Sequence, residues 1–391
     1  MDTNYQPIFS AFGMSTLTII SHTEHYKTQD GTFVGLGSTV TEINHLLAVF
    51  DHIVHVAMLH DTAAPLSAMP YTSNRIRFVA LPALGGQGIK DKLAIVWRAP
   101  TVLKIINSEI NKTDYFQFRA PTGIGVFVMP YLLLFSSKKG WFKYAGNWKQ
   151  DNAPLAYSFQ RWLLKNQKRK VTINGFWEDQ PPQCLSFENP CLTSEELKKG
   201  QETRKHKSLE GQDISLCFVG RLEREKGLDL FIEALLSLTT AEASKLKAIH
   251  IVGDGNDLEH YLNKTKRSEL HFIFHGFLSR TEVHAIYKQS HAIVLPSASE
   301  GFPKVISEAM NYGCLPIVSN LSSIAQYISE DVNGFLLYPI TLENLVTQIR
   351  KLLNLSTESY LNMIHSREDQ FLKFTYTHYN DRLKYELLSN Y

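Results

Sequence analysis

Short apolar runs rich in β-branched residues alternate with segments of helical period along almost the whole chain, and the alternation starts afresh near residue 214. Such alternation marks βα units that close a parallel sheet with helices on its faces. In the first half the pattern predicts strands over residues 16–21, 53–59, 76–81, 115–118, 142–145 and 171–173. Helices are expected over 38–50, 90–109 and 154–166. In the second half a strand over 214–219 leads into a helix carrying Leu228, Phe231, Leu235 and Leu238 at helical spacing. Further strands are predicted over 248–252, 272–274, 292–295, 317–319 and 335–337, and Ser279-Arg-Thr-Glu282 reads as a capping box opening a helix that ends near Gln289.

Between the halves, residues 177–213 are rich in Pro, Lys and Glu, contain Pro181-Pro182, Asn189-Pro190 and Gly200, and read as a linker. The expected fold class is therefore α/β, with two consecutive doubly wound parallel sheets in domains of residues 1–185 and 186–370. The 391 residues suffice for two independent cores. The tail over 371–391, with Phe374, Tyr376, Tyr379, Tyr385 and Leu387, is too apolar for a free end and is expected to pack back as a helix. Ligands of such sheets sit beyond the carboxyl ends of the strands, so two of them facing each other leave a cleft.

Charge narrows the function. With 40 Lys+Arg against 38 Asp+Glu the net charge is +2, which argues against a nucleic-acid partner held by phosphate neutralisation. Two local basic segments stand out: Arg161, Lys165, Lys168, Arg169 and Lys170, and residues 198–207, which include Glu202. Each reads as a solvated face or as a patch attracted to an anionic leaflet. The apolar run 126–135, broken by Pro130, is far shorter than the roughly 20 residues of a spanning helix and reads as buried or interfacial. Cys184, Cys191, Cys217 and Cys314 match neither a disulfide framework nor a metal pair, and the first ten residues lack the pattern of a secretory signal. Together these predict a cytoplasmic protein, with peripheral contact at the inner face of the membrane.

Two loops of the second half carry chemistry. In Val219-Gly-Arg-Leu-Glu-Arg-Glu-Lys-Gly227, Gly220 allows close backbone approach, while Arg221 and Lys226 bring two cations to the start of a helix. This suits a diphosphate without a metal; the alternative is a solvated charged turn, since Glu223 and Glu225 intervene. In Glu300-Gly-Phe-Pro-Lys-Val-Ile-Ser-Glu308, Pro303 is placed to open a helix, with one carboxylate before it and one a turn inside. Carboxylates accept hydrogen bonds from vicinal hydroxyls, so the pair suits a sugar and a ribose; the alternative is two surface acids. Together the loops fit a nucleotide-diphospho-sugar. Gly253-Asp-Gly255 lacks the third glycine of a dinucleotide fingerprint, where Leu258 stands, and reads as a turn into a helix.

The motifs Gly220-Arg-Leu-x-x-x-Lys226-Gly227, Val252-Gly-Asp-Gly255, Leu295-Pro-Ser-x-x-Glu300-Gly-Phe-Pro and Glu308-Ala-Met resemble glycosyltransferase family 4, retaining enzymes with the GT-B fold, over about residues 215–338. The resemblance implies that Arg221 and Lys226 hold the donor diphosphate, Glu308 the nucleotide ribose and Glu300 hydroxyls of the transferred sugar. Phe277 and Leu278 would border the base, and the backbone of Gly301, Phe302, Pro303 and Lys304 would lie near sugar and phosphate. It implies a co-substrate, a nucleotide-diphospho-sugar with UDP-sugar foremost, but no cofactor and no metal, and a glycan or lipid-linked acceptor in polysaccharide synthesis. Gly35 and Gly37 resemble the family's N-terminal glycine loop, with a flexible turn as the alternative. The family's usual cleft histidine is absent from Arg119-Ala-Pro121-Thr-Gly123 and from Gly146-Asn147-Trp148, where Arg119 is a candidate for an anionic acceptor or leaving phosphate, or a structural ion-pair residue. His22 and His25 follow the first strand. The rival readings are a nucleotide-sugar epimerase on the same fold and a catalytically silent GT-B partner subunit.

Overall fold

The computed structural model describes residues 15–84, 89–150, 152–209 and 213–389, with 89–96 described as helical backbone only. Among the described residues the first sheet has nine strands: β1 (Thr16–Lys27), β2 (Phe33–Leu36), β3 (His52–His60), β4 (Ala68–Pro70), β5 (Ile76–Pro82), β6 (Tyr115–Ala120), β7 (Lys139–Tyr144), β8 (Val171–Ile173) and β9 (Cys184–Ser186). Seven of them run parallel in the order β5-β3-β1-β6-β7-β8-β9. β2 and β4 add an antiparallel extension on the far half of β1. The second sheet is wholly parallel, β12-β11-β10-β13-β14-β15, from β10 (Ile214–Val219), β11 (Leu246–Val252), β12 (Phe272–Gly276), β13 (Ala292–Leu295), β14 (Leu315–Ser319) and β15 (Phe335–Leu337).

The first ten helices along the described chain are α1 (Gly37–His45), α2 (Ile89–Asn111), α3 (Gly125–Leu134), α4 (Leu155–Lys165), α5 (Ser194–Lys205), α6 (Leu228–Leu236), α7 (Thr240–Ala243), α8 (Leu258–Thr265), α9 (Arg280–Gln289) and α10 (Lys304–Asn311). Strands such as Ile214–Val219 are buried along their whole length, and apolar but for Ser215, because both sheet faces are covered. Ser279 and Glu282 close the capping box that opens α9, the Ser279 amide donating to Glu282 Oε2 at 2.8 Å.

Three segments differ from expectation. β1 runs six residues past Ser21, through a register break between Ile20 and Glu24. The glycine-rich stretch 31–37 is split: Gly31 sits in the turn between β1 and β2 at φ +90°, residues 33–36 form β2 and Gly37 opens α1, and a side chain at Gly35 would collide with the His25 imidazole. The linker region is ordered, with β9 continuing the first sheet and α5 opened by a capping box between Thr193 and Glu196 (3.1 and 2.8 Å). Gly200 inside α5 is where the Asn311 side chain packs, so the glycine that suggested a break marks a close approach.

At the end of the chain, Tyr379, Leu383 and Leu387 join Leu17, Ile43, Phe50 and Trp141 in one buried cluster of the first half. Each such side chain contributes about 1.5–3 kcal/mol by leaving water. Asn380 Nδ2 donates to the His45 carbonyl at 2.8 Å and Arg382 pairs with Glu188 at 3.0 Å.

Candidate functional site

Each sheet reverses its strand order once on either side of its first strand, at β1/β6 and at β10/β13, and such switch points open a crevice beyond the strand ends. The two crevices face each other across one cavity of about 880 Å³. Its first wall is the β1 break (Ser21 to Glu24), the end of β6 (Arg119 to Thr122), Lys143, and Ser38, Thr39 and Glu42 of α1. Its second wall is Val219 to Arg221, Lys226, Glu300 and Phe302 to Val305. The walls touch: a Cβ on Gly301 would stand 3.2 Å from the Ala145 carbonyl oxygen.

The two second-half loops converge inside this cavity. Lys226 Nζ lies 2.6 Å from Glu300 Oε1. Their spacing is set by Gly227, at φ +77°, where a side chain would strike the Pro296 carbonyl, and by the Ala298 amide donating to the Glu225 carbonyl at 2.8 Å. Gly220 is different: its nearest neighbour to an added Cβ is the Phe218 ring at 3.8 Å, so protein packing does not demand glycine there, and a side chain would project into the cavity. Arg221 reaches solvent at the rim and pairs with Glu223 at 2.9 Å. A 3-10 turn, Arg224–Lys226, intervenes before α6, and within it the amides of Lys226 and Gly227 donate to the Glu223 and Arg224 carbonyls at 2.9 and 3.0 Å.

Pro303 caps α10 and Lys304 is the first helical residue, one position later than expected. Glu308 is buried inside α10 behind the cavity wall, where Arg280 Nη1 donates to its Oε1 at 2.8 Å. The same guanidinium holds Glu196 through Nε (2.7 Å) and Nη2 (2.9 Å). Burial works to raise the Glu196 carboxyl, but Arg280 prevails and holds it at about 2. Phe277, Leu278 and Gly301 are not in the cavity lining; Phe277 is exposed after β12.

On the first wall, Arg119 lines the cavity, whereas Asn147 accepts the Lys149 amide at 3.0 Å within its own loop. Gly35 and Gly37 sit behind the lining, which Leu36 and Ser38 provide. His22 is the histidine of the lining among the described residues, and burial lowers its pKa. His25 and His55 share the Tyr71 hydroxyl instead, at 2.8 and 2.5 Å.

Sequence reasoning missed Glu42, Lys143, Glu196 and Arg280. Glu42 is buried among three cations, contacting Lys143, Arg119 at 3.0 Å and, across the cavity, Lys304 at 3.3 Å. Burial pushes its carboxyl up, yet Lys143, Arg119 and Lys304 together hold it far below the ordinary range. Lys143 is pushed down to about 8 by burial, with Glu42 opposing and Arg119 and Lys304 adding to the fall. The available signal was a lysine inside the apolar run Trp141-Phe-Lys-Tyr144, since buried lysines are rare unless paired.

The family described as glycosyl transferases group 1 matches residues 200–369. A glycosyltransferase of Haemophilus influenzae is 34% identical over 164 residues, 41% of this chain and 44% of that protein. The UDP-Gal:alpha-D-GlcNAc-diphosphoundecaprenol alpha-1,3-galactosyltransferase of Escherichia coli is 29% identical over 208 residues, 51% of this chain and 52% of that protein. The match thus spans about half of these curated relatives or less. The crystal structure of Anabaena HepE in complex with UDP and glucose superposes with a TM-score of 0.67 at 16% identity, covering 97% of this chain and all of that one. That likeness shows the fold, which is GT-B.

Proposed function

From a chain whose residues 200–369 belong to the group 1 glycosyl transferases, and whose fold is GT-B, we propose a retaining transferase that moves a hexose from UDP-sugar to a hydroxyl acceptor. The observation that carries this is the Lys226–Glu300 pair at 2.6 Å in the cavity, a phosphate-binding cation and a hydroxyl-binding carboxylate at one point of a switch-point crevice. Residues 186–370 take the donor and residues 1–185 with the tail 371–391 take the acceptor. Arg221 and Lys226 hold the diphosphate, Glu300 the transferred sugar and Glu308 the ribose. Gly220 leaves room for the phosphates, the Gly301 to Lys304 backbone borders them, and Phe277 and Leu278 flank the base. No step requires a metal in this reading.

The reaction follows from charge. Negative charge grows on the departing diphosphate, and a preorganised cation beside it is worth more in the transition state than in the ground state. The departing phosphate oxygen takes the proton of the incoming hydroxyl on the face of departure, so configuration is retained.

The acceptor belongs to a polysaccharide or lipid-linked glycan in this proposal, as in the Escherichia coli relative, and the protein works against the inner membrane surface. Support for the membrane contact is a hollow between α3 and α4 where Leu134 and Trp162 meet Lys168 and Arg169. Leu134, Phe135 and Trp162 are 75%, 76% and 59% exposed. The basic segment is weaker than its composition: Arg161 donates to the Trp148 and Gln150 carbonyls (3.0 and 2.7 Å), Arg169 to the Lys138 carbonyl (2.7 Å), and Lys165 faces Asp179 at 3.7 Å. No helix among the described residues is long and apolar enough to cross a membrane. Sedimentation with anionic vesicles, abolished by Trp162→Ser with Phe135→Ser, tests the contact; equal sedimentation of the variant refutes it.

The decisive experiment is a binding and slow-hydrolysis screen of UDP-, GDP- and ADP-sugars with wild type, Lys226→Ala and Glu308→Ala. Selective turnover of UDP-sugar, lost in both variants, is expected. Absence of donor binding would point to a silent partner subunit, and isomerised sugar to an epimerase.

A further inference from the structure

Among the described residues the cavity is lined by five cations, Arg119, Lys143, Arg221, Lys226 and Lys304, but by three carboxylates, Glu24, Glu42 and Glu300. The distribution matters more than the total. Lys226 is matched by Glu300, and Arg221 by Glu223 just outside the lining. The excess therefore falls on Arg119, Lys143 and Lys304, for which Glu42 is the ion-pair partner among the described residues. One carboxylate cannot balance three cations. Burying uncompensated charge is costly, so an arrangement of this kind is stable only when solvent or a bound anion supplies the missing counter-charge.

Donor capacity points the same way. Arg119 uses Nε on Gln117 (2.9 Å) and Nη2 on Glu42 (3.0 Å), and Nη1 has no hydrogen-bond partner among the described residues. Each lysine ammonium has three protons and contacts Glu42 with one bond. The Ser38 and Thr39 side chains line the same wall. The cluster thus presents a forked guanidinium group and two ammonium groups to one space, the donor set that suits the several oxygens of a phosphate. The strain of cation on cation shows in Lys143, pressed down to about 8 first by burial and then by Arg119 and Lys304, with Glu42 only partly offsetting them.

Location separates this cluster from the donor phosphates. Arg119 and Lys143 are paired at the penultimate positions of the adjacent strands β6 and β7 of the first sheet, and of the three only Lys304 comes from the opposite wall. We propose that Arg119, Lys143 and Lys304, organised by Glu42, form a second anion site that holds a phosphate group of the acceptor. The assignment rests on the reading of the cavity as a sugar-transfer site. The acceptor substrate is then a phosphorylated one, either a soluble sugar phosphate or a lipid-linked phosphate, with its reacting hydroxyl turned toward Glu300 and Lys226. Lys304 reaches across the cavity to Glu42, so the anion is gripped from both walls.

The test uses the full chain saturated with UDP and titrated calorimetrically with inorganic phosphate. Wild type is expected to bind phosphate while UDP occupies the donor side. Arg119→Gln is expected to weaken phosphate at least tenfold relative to UDP, and Arg119→Lys to recover part of the loss. No phosphate uptake by UDP-saturated wild type overturns the proposal, as does Arg119→Gln binding phosphate like wild type. Should that variant not fold, Lys304→Gln is read by the same ratio. If wild type fails to bind UDP while phosphate binding persists and depends on Arg119, the donor reading fails and the anion site stands. Competition arms separate the sources: glucose 1-phosphate in solution, and a polyprenyl phosphate in neutral phosphatidylcholine vesicles. Displacement of phosphate by either supports an acceptor site of that kind, and displacement by neither overturns the acceptor assignment.

Discussion

Replacing Arg280 by Met removes one guanidinium but keeps most of its apolar stem. That group joins three elements: it holds Glu196 of α5 at 2.7 and 2.9 Å and Glu308 of α10 at 2.8 Å, and it sits at the start of α9. Without it two largely buried carboxylates face each other, with His284, 3.5 Å from Glu196, and His45 as basic neighbours. Breaking a fully buried pair costs about 3–5 kcal/mol, and the 33% exposure of the Arg280 side chain reduces this to about 2–4 kcal/mol. For a unit the size of the second half this lowers the melting temperature by about 5–15 °C at pH 7. The deficit depends on pH. In wild type the Glu196 carboxyl lies at about 2, below its ordinary 4.5, so its contribution is complete above pH 4.5 and is lost as pH falls toward 2. In Arg280→Met the Glu196 carboxyl loses the hold of the guanidinium and regains its proton at a higher pH than in wild type, which relieves the repulsion, so the gap between variant and wild type narrows from pH 7 to pH 4. Differential scanning calorimetry at both values measures it. Melting within 1 °C of wild type at pH 7, or an equal deficit at both values, would refute the argument that Arg280 holds these carboxylates by charge.

Three further outcomes are expected. Lys226→Ala lowers kcat by about 10²–10³, beyond any change in KM, in steady-state transfer or donor hydrolysis; a pure KM effect would show that Lys226 binds donor and transition state alike. Gly227→Ala forces a left-handed residue against the Pro296 carbonyl and is expected to cost about 1–3 kcal/mol, read as a lower urea midpoint; an unchanged midpoint would mean that the loop relaxes freely. Binding of sulfate, whose own charge is constant over the range, weakens as pH rises through about 8, where Lys143 loses its proton amid Glu42, Arg119, Lys304 and the Tyr379 ring. Lys143→Arg flattens that profile, and a flat wild-type profile would exclude Lys143 from the anion site.

What the sequence disclosed depended on how local the determinants were. Parallel strands buried on both faces leave apolar runs, so β10, β11 and β13 were readable, and the two motif loops lie in one contiguous stretch. β2 was hidden because its glycine accommodates His25 from a neighbouring strand rather than making a turn, and α5 because its helix signal competes with Pro-rich surroundings and an internal glycine. Arg280 was visible only as the second residue of a capping box. Its contact with Glu308 spans 28 residues, and the Lys304 contact with Glu42 spans 262. No periodicity or spacing rule reaches such pairs; the first exists only once α9 and α10 have packed together, the second only once the two sheets have met.

The returning tail has a consequence for biosynthesis. Tyr379, Leu383 and Leu387 complete a hydrophobic cluster whose other members end at Phe187. A ribosome adding about 5–20 residues per second delivers Tyr379 roughly 10–40 s after Phe187. Throughout that interval the face of the first half that these side chains cover is open to water. Completion of this first-half cluster therefore waits for a segment made only after the strands and helices of the second half have been synthesised.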